Sequence, residues 1–179
     1  MYRLFVAIDL PEQVKEAVTG IFNRGLAGAR WVPPEQLHLT LRFIGDCAER
    51  TFQEIRGGLS APKSAPFPLT IRGIGHFPPR GEPRVLWVGV EDSVELSTLQ
   101  AKIEREIVSA GIEAEKRRFS PHITIARLKD TPLARITHLE ESNRQFSAAP
   151  FQVSEFYLYS STLTREGAIH RREADYRLE

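Results

Sequence analysis

The 179 residues include a single cysteine, Cys47, so an internal disulfide is impossible and a thiolate zinc site with spaced partners is out. Cys47 reads as a small apolar or surface residue. No apolar run approaches the roughly 18 residues needed to cross a bilayer. The opening Met1-Tyr2-Arg3-Leu4-Phe5-Val6 enters a strand-like stretch at once, without the layout of a secretion signal, and a cytoplasmic protein is expected. Charge of one sign is also missing. With 24 basic and 23 acidic residues the net charge is +1, which excludes a strongly basic nucleic-acid coat while leaving room for a local basic cleft.

What is present describes one ordinary globular domain, long enough to bury roughly 70% of its unfolded surface without disulfide or metal. Strand-like and helix-like runs alternate throughout. Leu4 to Ile8 is a short buried strand, and Pro11 then suits the first turn of a helix through Val14, Val18, Ile21 and Phe22 towards Gly25. Trp31 to Pro34 reads as a turn, Leu37 to Ile44 as a strand, Ala48 to Leu59 as a helix and Phe67 to Ile74 as a strand. His76 to Arg84, with three prolines and Gly81, is a loop joining two halves. The second half repeats the order: strand Val85 to Val90, helix Leu96 to Ala110, strand His122 to Leu128, a polar helix near Pro132 to Glu141, strand Phe151 to Tyr159. Ala168 to Leu178 makes one more strand.

The spacing supports a duplication. His38 and His122 lie 84 residues apart, as do Pro66 and Pro150, each proline followed by Phe; Leu4 and Leu86 nearly keep step at 82. The expected architecture is α+β: two pseudo-twofold-related lobes, each a mainly antiparallel sheet with helices on its outer face and a cleft between them. The lobes would span about 1–80 and 84–179 of a single domain covering 1–179, with the terminal strands open to exchange.

The chemistry sits in His38-Leu39-Thr40-Leu41 and His122-Ile123-Thr124-Ile125. Alternation along a strand puts His38 with Thr40, and His122 with Thr124, on one face, while the aliphatic residues take the other. One such motif is commonplace, and a lone strand histidine is usually structural. Two at matching places in a repeat point to two imidazoles and two hydroxyls around one centre. Two histidines without a third ligand make a poor zinc site. Imidazoles of pKa near 6.5 work instead as an acid and base pair, which suits in-line displacement at phosphorus. No cofactor or metal is expected. Arg42 lies on the ideal-strand face of His38 and Thr40, whereas Arg127 is on the opposite face unless the strand bulges. Lys116-Arg117-Arg118 is a run able to steer a polyanion. His76, His138 and His170 read as loop or surface residues, with His76 nearest the cleft joint.

At these residues the chain resembles the two-histidine phosphoesterases, and among them the LigT-like RNA 2',3'-cyclic phosphodiesterases (the 2'-5' RNA ligase family). The resemblance runs through Arg3 to Pro11, Trp31 to Gly45, Pro83 to Val90, Phe119 to Arg127 and Phe156 to Tyr159. It lapses in the tail, where the family often has Glu-Ser and then Pro-x-Tyr; here Ser160-Ser161 and Ala168-Ile169-His170 stand. The resemblance implies metal-independent hydrolysis of a terminal 2',3'-cyclic phosphate on RNA to a 2'-phosphomonoester. His38 would be the proton donor to the leaving 3'-oxygen and His122 the acceptor from water. Thr40 and Thr124 would hold the phosphate oxygens with Arg127 helping, and Arg42 is the further basic candidate. RNA ends or small cyclic nucleotides are the expected substrates of a monomer. Two other readings remain: 2'-5' RNA ligation as the main role, and a non-catalytic RNA- or nucleotide-binding module.

Overall fold

The computed structural model describes all residues, 1–179. In chain order the elements are β1 (Tyr2–Asp9), α1 (Glu12–Thr19), β2 (Ala29–Trp31), β3 (His38–Cys47), α2 (Glu49–Gly58), β4 (Phe67–Leu69) and β5 (Ile71–Phe77). Then follow β6 (Val85–Val90), α3 (Val94–Ser109), β7 (His122–Leu128), α4 (Leu133–Ser142), β8 (Phe151–Val153), β9 (Glu155–Thr164) and β10 (Gly167–Arg177). Most follow from apolar periodicity. Leu96, Leu99, Ile103 and Ile107 make one stripe of α3, all fully buried, and the Ser93 hydroxyl accepts from the Leu96 amide to cap the helix start.

The strands form two four-stranded antiparallel sheets, ordered β10-β9-β1-β3 and β2-β7-β6-β5, and a ribbon of β4 with β8. The α+β class and the two-sheet arrangement match the expectation. The sheets are not continuous stretches of chain. β9 and β10 cross back to β1, and β2 crosses to β7, so the first sheet joins both ends of the chain and no cut near residues 80–84 separates the sheets. A single cluster of 36 buried residues runs through the whole molecule.

The duplication is visible in the register. β9, β1 and β3 occupy the same order as β5, β6 and β7. In the ribbon, Pro68 faces Gln152, 84 residues on, so β4 pairs with its own copy about a local twofold axis. The opening strands are offset by 80 rather than 82: Val6 faces Arg42 and Leu86 faces Ala126, making Val6 the counterpart of Leu86.

Other boundaries moved for local reasons. Trp31 belongs to a short strand, because β7 offers an unpaired edge there. The first helix stops at Thr19, with Gly20 at its end, well short of Gly25. The stretch from Phe67 breaks at Thr70 into β4 and β5, and β5 continues to Phe77 through what was expected to be loop. The strand from Phe151 likewise breaks at Ser154. Cys47 is buried, as a small apolar residue would be. No helix is long and apolar enough to cross a membrane.

Candidate active site

β3 and β7 present their polar faces to a cleft of about 810 Å³ between the sheets, lined by His38, Thr40, His122, Thr124 and Arg127 among others. Leu39, Leu41, Ile123 and Ile125 on the opposite faces are wholly or almost wholly buried. Burying these aliphatic residues holds the strand register, because a slip of one residue would turn each His and Thr away from the cleft.

Both imidazoles are oriented in the same way. His38 Nδ1 donates to the Gln36 carbonyl at 2.6 Å, and His122 Nδ1 donates to the Ser120 carbonyl at 2.7 Å. Each accepting carbonyl lies two residues before its histidine. With Nδ1 so occupied, Nε2 is the atom left to take or give a proton. Burial pushes His38 below the ordinary histidine range, and His170 and Arg127 nearby push the same way against Asp9 and the Gln36 carbonyl.

A bulge decides the fate of the two arginines. Ala7 faces Thr40 while Val6 faces Arg42, so Leu41 is an extra residue; Trp87 faces Thr124 while Leu86 faces Ala126, so Ile125 is the extra one in the second copy. Each bulge places two successive residues inward and returns the third to the cleft. Arg127 therefore reaches the cleft, by the bulge that its position required. Arg42 is turned inward, contrary to its expected place beside His38. It is 7% exposed, pairs with Glu104, and donates to the carbonyls of Phe43 and Glu113. Its counterpart is Ala126, and Phe43 takes the place that corresponds to Arg127. Arg42 thus does not line the cleft.

The structure adds residues that the motifs did not point to. Arg3 and Arg30 line the cleft with Arg127, while Glu166 is the one carboxylate among the lining residues, which favours an anion. Arg3 lies over the Phe43 ring at 5.4 Å. His170, expected at the surface, stands in the cleft with its ring centroid 5.4 Å from that of His38. His76 goes the other way: it pairs with Glu140 behind the sheet and does not line the cleft. His138 is exposed on α4, as expected. Lys116, Arg117 and Arg118 are exposed outside the cleft, with Lys116 paired to Glu113. No group of three or more His, Cys, Asp or Glu side chains is placed to hold a metal ion.

The profile of the 2'-5' RNA ligase superfamily matches residues 9–165. An RNA 2',3'-cyclic phosphodiesterase of Thermotoga maritima is 37% identical over 175 residues, covering 94% of this chain and 91% of its own. One of the same name from Archaeoglobus fulgidus is 33% identical over 174 residues, covering 94% and 96%. Among solved structures, TT0787 of Thermus thermophilus matches at a TM-score of 0.80 with 29% identity, over 98% of this chain and 97% of that one. E. coli LigT complexed with 3'-AMP matches at a TM-score of 0.78 with 25% identity, over 99% and 98%.

Proposed function

This chain belongs to the 2'-5' RNA ligase superfamily, and on that premise we propose that it is an RNA 2',3'-cyclic phosphodiesterase, opening the cyclic phosphate to a 2'-phosphomonoester by paired histidine catalysis. The observation that carries the reading is the pair of His–Thr strands facing one basic cleft, each imidazole held through Nδ1. Water attacks phosphorus while His122 Nε2 takes its proton. The bond from phosphorus to the 3'-oxygen breaks, and His38 Nε2 gives that oxygen a proton. One water is consumed, and one proton has moved from His38 to His122, to be returned through solvent. The Thr40 and Thr124 hydroxyls donate to the non-bridging oxygens, and Arg127 balances their charge. The direction, with His38 as acid, follows the family pattern. Both His–Thr pairs lie in one chain, so the working unit is a monomer acting in the cytoplasm on RNA ends or small cyclic nucleotides.

The test is hydrolysis of a short oligonucleotide ending in a 2',3'-cyclic phosphate, in the presence of a chelator. Appearance of the 2'-phosphate supports the proposal; dependence on added divalent metal overturns the metal-free route, and binding without turnover favours a binding module.

The low proton affinity of His38 in the free cleft has a kinetic consequence. An acid must be protonated to act, so the alkaline fall of kcat/KM, which reports free enzyme, starts at a lower pH than for an ordinary histidine. A bound phosphodiester anion favours imidazolium and raises His38 again. The alkaline fall of kcat is therefore expected at higher pH than that of kcat/KM, measured over roughly pH 5–9. Coincident limbs would contradict this loading of the acid by its substrate.

A further inference from the structure

The catalytic four obey the local twofold, but two strands do not belong to the repeat. β10 lies outside β9, where the second sheet ends at β5, and β2 lies outside β7, where the first sheet ends at β3. These two additions meet at one end of the cleft. Arg30 of β2 donates to the Glu166 carbonyl at the tip of the β9–β10 hairpin, and Gln36 donates to the Ala168 carbonyl at 2.7 Å. Gly167 makes the approach possible: its φ is 131°, and a Cβ there would lie 2.9 Å from the Arg30 guanidinium.

The unrepeated strand β10 brings His170 into the cleft. At the other end of its arm, Asp9 accepts from Tyr159 and from Arg172, both at 2.6 Å, tying β9 and β10 to β1. The His170 ring packs edge-on against Phe5 at 4.9 Å and against His38 at 5.4 Å. Unlike the two motif histidines, it has neither nitrogen engaged within the protein, and burial alone pushes it below the ordinary range. At neutral pH it is a neutral ring offering one donor and one acceptor to the cleft. The His122 side is bounded differently, by Phe77 at 5.0 Å and Trp87 at 6.4 Å. By register Phe77 is the counterpart of Tyr159, and nothing corresponds to His170.

A cyclic phosphate joins two oxygens of one ribose, and water can displace either. Breaking the bond to the 3'-oxygen leaves a 2'-phosphate; breaking the bond to the 2'-oxygen leaves a 3'-phosphate. Both consume one water, so the product ratio reports how the ribose was held. Four side chains related by a twofold treat the two oxygens alike; Arg127, whose counterpart is Phe43, breaks that symmetry beside His122, and on the His38 side the group off the twofold is His170. We propose that His170 is that specificity-determining group: it hydrogen-bonds the ribose on the His38 side through a free ring nitrogen and so presents one ester oxygen, and not the other, to the acid. This rests on the phosphodiesterase reading.

The experiment compares the wild type with His170→Phe, which keeps the packing on Phe5 without a polar atom, and His170→Gln, which restores a donor and an acceptor. Each is given a short oligonucleotide ending in a 2',3'-cyclic phosphate, and the 2'- and 3'-phosphate products are resolved by phosphorus NMR. The wild type gives one isomer. His170→Phe raises the other at least tenfold and raises KM, and His170→Gln reverses most of both changes. His170 is partly exposed on an outer hairpin, and melting temperatures check that the variants stay folded. A single isomer with unchanged KM from His170→Phe overturns the assignment. A wild type that does not open the ring overturns the phosphodiesterase reading, and this inference with it.

Discussion

Replacing His122 with alanine lowers kcat/KM for the cyclic-phosphate oligonucleotide by about 10²–10⁴, and replacing His38 does the same, because each removes one proton transfer from the transition state. The double replacement costs much less than the product of the two. Once attack and departure are no longer concerted through both rings, what survives is binding and charge stabilisation by the threonines and Arg127. Neither ring is needed for the fold: both are partly exposed, each makes one hydrogen bond to a nearby carbonyl, and the aliphatic neighbours carry the packing. Equal melting temperatures with lost turnover are therefore expected. A His122→Ala variant within tenfold of wild type would show that water is activated by some other group.

Arg42→Ala has the largest expected effect on stability. The guanidinium is 7% exposed and bonded to Glu104, the Phe43 carbonyl and the Glu113 carbonyl. Glu104 in turn accepts from the Glu115 amide, so the pair pins the segment leading towards His122. Removing one partner of such a buried pair leaves the carboxylate and two carbonyls short of a donor, which costs about 3–5 kcal/mol. In a chain of this size that lowers the melting temperature on the order of 10 °C. Below that temperature KM should stay near the wild-type value, since Arg42 does not line the cleft. A large rise in KM with unchanged melting would restore Arg42 to the phosphate site. Arg127→Ala supplies the contrast, with KM raised and stability kept.

The different fates of these two arginines show what the sequence made legible. Strand alternation and the 84-residue spacing were enough to place His38, Thr40, His122 and Thr124 in one cleft, because those residues alternate with buried aliphatic ones. Ideal alternation misassigned Arg42, because the bulge at Leu41 turns Arg42 inward and Phe43 to the cleft. Nothing in Leu41 or Ile125 by itself announces a bulge, since the extra residue is as apolar as its neighbours and is recognised only against the partner strand. His170 was out of reach for a different cause. The tail was legible as a strand, but its side chains acquire a meaning only when that strand is laid beside β9. Pairing between distant segments is decided by the whole fold. His76 illustrates the same point in reverse, its partner Glu140 lying on a helix of the other half.

The interleaving of the first sheet also bears on how the protein is made. β1 is synthesised before β3, yet the other edge of β1 is covered only by β9, which follows every other strand except β10. All strands of the second sheet leave the ribosome before that edge is closed. A nascent chain therefore carries an apolar strand, Leu4 to Ile8, with one side open until β9 has emerged, the condition under which strands pair with the wrong neighbour. Closing that edge is also what completes the cleft, since the β9–β10 arm that covers β1 carries His170.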